Sequence, residues 1–247
     1  MKNFLIEKQY GTGLLVAFLL LIAPMSLLTS HIDLLSTVSD PLGLTFTLLT
    51  DSAGSKGAII TLFVLVAISW RLLPNRIEWL SKMAQLGLIL LIGFVCKTGL
   101  KQMTESPRPY TELLTHQLLI PQPSHFYNLS TVQQQDVIND ISHSVSSWRT
   151  RHWQGEKDYS FPSGHTIFAA ICLAFFGQLF IHNRRYVLAT ALGVWAVGMA
   201  YSRLWLGMHR PVDLMGSVLF VLMLYMLAPK FDRITEKLFS RWSHLTT

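Results

Sequence analysis

The stretch FPSGHTIFAAICLAFFGQLFI, residues 161–181, decides how the chain is read. It opens on a polar cluster, Pro162-Ser163-Gly164-His165, and runs straight into an apolar block from Thr166 to Ile181. Five more apolar blocks can be read: Thr12–Thr29, Gly57–Leu73, Met83–Leu100, Tyr186–Leu204 and Val212–Ala228. Several fall short of the ~20 residues of a full span, and polar residues at their ends lengthen them to the interface. Only 14% of the 247 residues are charged and 51% are hydrophobic, against about 25% charged in soluble domains. The pattern predicts an all-α polytopic membrane protein. Its expected form is one domain over 1–247, a six-transmembrane-helix bundle with a small helical extracytoplasmic insertion at 105–160.

The connecting segments sharpen this picture. Lys2 and Lys8 precede the first block, but no A-x-A-like site follows at Leu28-Thr29-Ser30-His31, so it is read as an uncleaved span. Pro24 is expected to kink it. Residues 31–56 mix Asp33, Asp40 and Asp51 with apolar residues, which suits a loop with an interfacial helix. Residues 105–160 are polar and hold four prolines, and they read as one or two short helices. Trp148, Trp153 and Tyr159 near their end suit headgroup level.

Orientation follows from the basic residues. With the N-terminus inside, 11 of the 20 Lys and Arg fall in short inner segments: Lys2, Lys8, Arg71, Arg76, Lys82, Arg184, Arg185, Lys230, Arg233, Lys237 and Arg241. Glu7, Glu78, Asp232 and Glu236 are the acids on that side. The positive-inside rule then sets both termini in the cytoplasm. Three polar clusters consequently fall on the outer side together, although nothing in the count required it.

Those clusters are Lys101-x6-Arg108-Pro109, Pro162-Ser163-Gly164-His165 and Ser202-Arg203-x5-His209-x3-Asp213. They hold three cations, two imidazoles and a carboxylate, which is the inventory for gripping and breaking a phosphate ester. Ser163 suits an N-cap and Gly164 a close ligand approach, so the helix start makes a phosphate seat. Arg108 and Arg203 offer bidentate grips and Lys101 a point charge. Lys97 lies four residues before Lys101 on the same helix face. It reads first as a snorkelling cation and second as a possible phosphate contact. Pro211 suits a first helical turn, and the spacing of His209 and Asp213 lets the carboxylate fix the imidazole tautomer. Each cluster alone has a bland reading, as an ordinary cap, an interfacial cation or a structural His–Asp pair. Three on one side favour a shared site.

The three motifs, intact and in order, resemble the signature of the type 2 phosphatidic acid phosphatase superfamily. The resemblance implies a metal-independent lipid phosphate phosphatase that needs no cofactor. It implies that His209 attacks phosphorus to form a phosphohistidine, that Asp213 orients it, and that His165 protonates the leaving oxygen and then activates water. Lys101, Arg108, Ser163, Gly164 and Arg203 would hold the phosphoryl oxygens. Implied substrates are phosphatidylglycerol phosphate, phosphatidic acid and undecaprenyl diphosphate. The implied location is a bacterial inner membrane, with the site on the periplasmic side.

Composition excludes other classes. No Lys/Arg tract with interleaved aromatics points to nucleic acid. Cys96 and Cys172 lie inside apolar blocks, and no Cys/His grouping has zinc spacing. The expected partners are lipid phosphates and the bilayer, with no obligatory protein partner. Two alternatives stay open: a lipid phosphotransferase using the same His209, and a non-catalytic anionic-lipid binder or transporter. The apolar blocks count against a soluble vanadate-binding haloperoxidase.

Overall fold

The computed structural model describes residues 2–29, 32–55, 57–231 and 235, with the side chains of 2–7 and 26 left aside. The C-terminal charges used for orientation, Asp232, Arg233, Glu236, Lys237 and Arg241, lie outside the described residues, as do Ser30 and His31. The described chain is helical throughout, without strands. Its long helices are α1 (Lys2–Thr29), α3 (Gly57–Leu72), α4 (Arg76–Thr104), α10 (Tyr186–Trp205) and α11 (Pro211–Leu227). A sixth rod joins α8 (Gly164–Cys172), a π turn (Leu173–Gly177) and α9 (Gln178–His182). All six apolar blocks are therefore helical.

Length and composition qualify four of these as spans: Lys8–Thr29, Arg76–His116, Gly164–His182 and Tyr186–Trp205. A fifth follows if α2 (Asp40–Ala53) and α3, bent by 68° at the break between them, count as one span. α11 is apolar but shorter. The rod Gly164–His182 is the hub, for 78% of its apolar window is buried against 17% for α4. α1, α10 and α11 pack around it. Side chains such as Leu20, Ile60, Phe63, Leu91 and Val95 stay exposed on the outside, as a hydrocarbon solvent allows.

Helix ends follow local chemistry. Asn75 caps α4 by accepting from the backbone of Ile77 and Glu78 at 3.0 and 3.3 Å. Ser163 caps α8 by accepting from Thr166 N at 3.3 Å. Lys8 reaches from the first helix to the end of the last. It donates to Ala228 O at 2.8 Å and to Tyr225 O, satisfying carbonyls that α11 leaves unpaired.

Segment 105–160 is richer than the one or two helices expected. It holds α5 (Pro109–His116), a 3-10 turn (Pro123–Asn128), α6 (Thr131–Ile141) and α7 (Ser147–Gly155). A core of its own explains this: Tyr110, Leu114, Phe126, Ile138, Ile141 and Trp153 bury one another. Trp153 accordingly does not sit at headgroup level. It is fully buried, stacks on Tyr110 at 5.0 Å, and donates to Leu206 O at 2.8 Å. Trp148 instead closes over Gly43 and donates to Asp40. Arg149, buried to 2%, ties the loop before α2 to this unit by donating to the carbonyls of Asp33 and Leu34. The helix expected within 31–56 is α2, which packs against α7 and α10.

Trp153→Ala removes this anchor and its hydrogen bond, a loss of about 3–5 kcal/mol. The thermal midpoint in detergent is expected to fall by several degrees; an unchanged midpoint would show that the unit does not depend on the ring.

Candidate active site

The ends of α4, α8, α10 and α11 meet beneath segment 105–160. Every residue singled out from the sequence is at that meeting point. Arg108 is 1% exposed, and its guanidinium donates to Asp158 O at 2.8 Å and to Met208 O at 3.1 Å. Its Nη1 lies 3.4 Å from Nε2 of His209. Arg203, fully buried, donates to Thr50 Oγ1 at 2.6 Å. Lys101 pairs with Asp158 at 3.0 Å. Ser163 places its backbone N–H on Ser217 Oγ at 2.9 Å. Lys97 lies along Gly164, where an added Cβ would meet its Cδ at 3.0 Å. Gly164 is thus what lets that cation approach the start of α8.

His209 and Asp213 meet through an intermediary. Their closest atoms, Nδ1 and Oδ2, are 3.6 Å apart, too far for the direct bond expected from their spacing. Ser160 fills the gap. Its hydroxyl lies 3.3 Å from Nδ1 and donates to Asp213 Oδ2, which also accepts from Arg210 N at 2.8 Å. The single hydroxyl proton is on the carboxylate side, so the network assigns the imidazole proton to Nδ1. Nε2 then carries a lone pair, which accepts from Arg108 Nη1 at 3.4 Å. Burial holds the His209 imidazole well below its ordinary pKa, and Arg108, Arg203 and Lys101 push the same way. The ring is thereby held in its neutral form.

The centre of the site holds Glu156, which motif reading passed over. Its carboxylate accepts from Arg203 Nη2 at 2.8 and 2.7 Å and from Arg108 Nη2 at 3.3 Å. His165 Nε2 is 3.8 Å away. Burial raises this carboxyl, but the permanent cations Arg203 and Arg108 hold it well below the usual carboxylate range. Asp158 shows the same balance, with Arg108 and Lys101 outweighing burial. Both imidazoles and both guanidinium groups therefore surround one bound anion. Arg203 Nε, also buried, has no acceptor, and an N–H in that state costs about 1–3 kcal/mol until an acceptor arrives. The one sequence signal for Glu156 and Asp158 was an acidic pair just upstream of the Pro-Ser-Gly-His cluster. Among the described residues no group of three or more His, Cys, Asp or Glu is placed to hold a metal ion.

The model of the PAP2 superfamily matches residues 82–233, a stretch that carries all three clusters and Glu156. The chain belongs to the PAP2 superfamily. Among PAP2 relatives it is 33% identical over 180 residues to phosphatidylglycerophosphatase B of Haemophilus influenzae, covering 70% of this chain and 74% of that protein. It is 33% identical over 141 residues to phosphatidylglycerophosphatase B of Escherichia coli K12, covering 55% of this chain and 54% of that one. The chain thus matches about half the length of the second relative.

The two depressed groups set a sign for acid stability. The unfolded chain takes up a proton on His209 near pH 6.5 and on Glu156 near 4.5, before the folded protein does. Stability is therefore full above 6.5, begins to fall as pH drops below it, and falls again below 4.5. Unfolding midpoints measured against pH should show both declines, and His209→Asn should shrink the first without removing it, because burial also holds the His152 imidazole down, to about 4. A flat profile from pH 7 to 5 would contradict the lowered imidazole.

Proposed function

We propose that the protein is a membrane lipid phosphatase that hydrolyses phosphomonoester or diphosphate headgroups through a phosphohistidine on His209. The observation that carries this reading is the Glu156 carboxylate, held by Arg108 and Arg203 beside His165, with His209 against the same Arg108. A phosphoryl group has the same charge sign and more acceptor oxygens, so it suits the same seat once Glu156 swings out. Arg203 Nε then gains its missing acceptor.

The chemistry follows from the atoms present. The Nε2 lone pair of His209 forms the N–P bond as the P–O bond to the lipid breaks. His165 gives its proton to the departing oxygen. Charge on the equatorial oxygens falls to Arg108, Arg203, Lys101, the Ser163 hydroxyl and the Gly164 N–H. Nδ1–H of His209 stays on Ser160, which passes the stabilisation of Asp213 to the ring. Water then attacks phosphorus, His165 takes its proton, and the N–P bond breaks. No step calls for a metal ion.

The remaining assignments belong to the same reading. One domain over 1–247 forms six spans, with 105–160 as an extracytoplasmic insertion. Both termini are cytoplasmic and the site faces the periplasmic side of a bacterial inner membrane. The substrates are phosphatidylglycerol phosphate, phosphatidic acid and undecaprenyl diphosphate, with no obligatory protein partner. The names of the two relatives support the first substrate most directly.

His209→Ala is expected to abolish phosphate release from these lipids in mixed micelles, by about 10³-fold or more, with the elution profile unchanged. Turnover at the parent rate would end the assignment. EDTA should leave the rate within twofold; complete loss restored by magnesium would contradict the metal-free route. Ser160→Ala should lower kcat about tenfold with KM little changed, because it loosens the ring without touching phosphate. An unaltered kcat would remove Ser160 from the relay.

A further inference from the structure

The two imidazoles of the site are held in different ways. His209 has Ser160 beside one ring nitrogen and Arg108 beside the other. The His165 ring makes no hydrogen bond among the described residues, and its Nε2 lies 3.8 Å from Glu156 Oε1. In the proposed reaction this ring gives a proton to an oxygen and later takes one from water, and both transfers depend on its placement. Once Glu156 swings out to admit phosphate, that neighbour is gone as well. Packing has to supply what hydrogen bonds do not.

The packing comes from the carboxyl end of α2, outside the 82–233 stretch that the PAP2 model matches. Gly54 closes that helix, and its N–H donates to Asp51 O at 3.0 Å. Its φ of −77° and ψ of 177° are extended backbone that any residue adopts. Glycine is therefore there for space, not for conformation. A Cβ on Gly54 would stand 3.3 Å from His165 Nε2 and 3.3 Å from Asp51 O, inside the ~3.5–4.0 Å of a comfortable contact. The end of α2 is pinned. Thr50 is fully buried and accepts from Arg203 Nη1 at 2.6 Å, Ala53 is buried, and Ser52 Oγ accepts from Trp195 Nε1 at 2.8 Å. Asp51 O belongs to the backbone of the same turn. The part left to give way is the imidazole that no hydrogen bond anchors.

We propose that Gly54 is a positioning residue for the acid–base steps: its missing side chain lets the end of α2 close on His165 and hold Nε2 toward the leaving oxygen. The role rests on the phosphatase reading of the site. A methyl group at this position moves the ring by a few tenths of an ångström. Such a shift in a proton donor costs about tenfold in rate, against the ~10²-fold of a 1 Å misplacement. Proton donation matters only when the departing oxygen leaves poorly. A lipid alkoxide needs the proton, whereas p-nitrophenolate departs without it. A residue that merely supports the fold would not distinguish the two.

The test compares kcat/KM for phosphatidic acid and for p-nitrophenyl phosphate with the full chain in mixed micelles, because this constant reads only the steps up to departure of the alcohol. Gly54→Ala is expected to lower it about tenfold for phosphatidic acid and to leave it within twofold for p-nitrophenyl phosphate. The retained aryl activity then shows that the site is folded. In a His165→Ala background the added methyl meets no ring, so Gly54→Ala should change phosphatidic acid turnover by less than twofold. Equal losses on both substrates, no loss on either, or a further tenfold loss in the His165→Ala background would each overturn the proposal. A failure of the phosphatase reading would appear in a different protein, as phosphate release that survives His209→Ala.

Discussion

Two buried guanidinium groups organise this protein. Arg108 and Arg203 are almost entirely out of solvent, and a buried cation is tolerated only with an anion and full hydrogen bonding. Glu156 supplies that anion in the free protein, and α7 places it there. Thr50 from α2, the carbonyl of Met208 and Asp158 add further contacts, and Arg203 Nε is left without an acceptor. The arrangement therefore needs α2, segment 105–160 and the ends of α4 and α10 at once. Substrate would take over an interaction that already exists rather than create one, and that keeps the cations aimed before it arrives.

The fold was legible wherever apolar patterning was strong. The six blocks became six helical rods because a run such as Thr166–Ile181 can satisfy its backbone in lipid only as a helix. Pro211 and Ser163 marked helix starts correctly, since ring geometry and capping act locally. The polar segment was harder. Tyr110, Phe126 and Trp153 are far apart in sequence and polar residues surround each. Their joint burial is a tertiary fact that local composition does not carry, so Trp153 read as an interfacial residue.

The site shows the same division. Arg108, His165, Arg203, His209 and Asp213 were visible because their chemistry is rare in apolar surroundings. Glu156, Ser160 and Thr50 were not, because a serine or glutamate in a polar loop has many ordinary explanations. Their roles appear only once the chain brings them beside a guanidinium or an imidazole. The spacing of His209 and Asp213 suggested a direct contact, yet the loop path leaves a gap that a hydroxyl from another segment fills.

The reach of Lys8 to the carbonyls at the end of α11 has a consequence for biogenesis. An ammonium near the start of α1 meets its acceptor on Ala228, 220 positions further along the chain, only once the helices between them have packed. Until then the first segment keeps an uncompensated charge at the lipid boundary. Neutralisation of the first helix and closure of the bundle are thereby linked, and a chain in which α11 has not docked would display a mark that quality control can read.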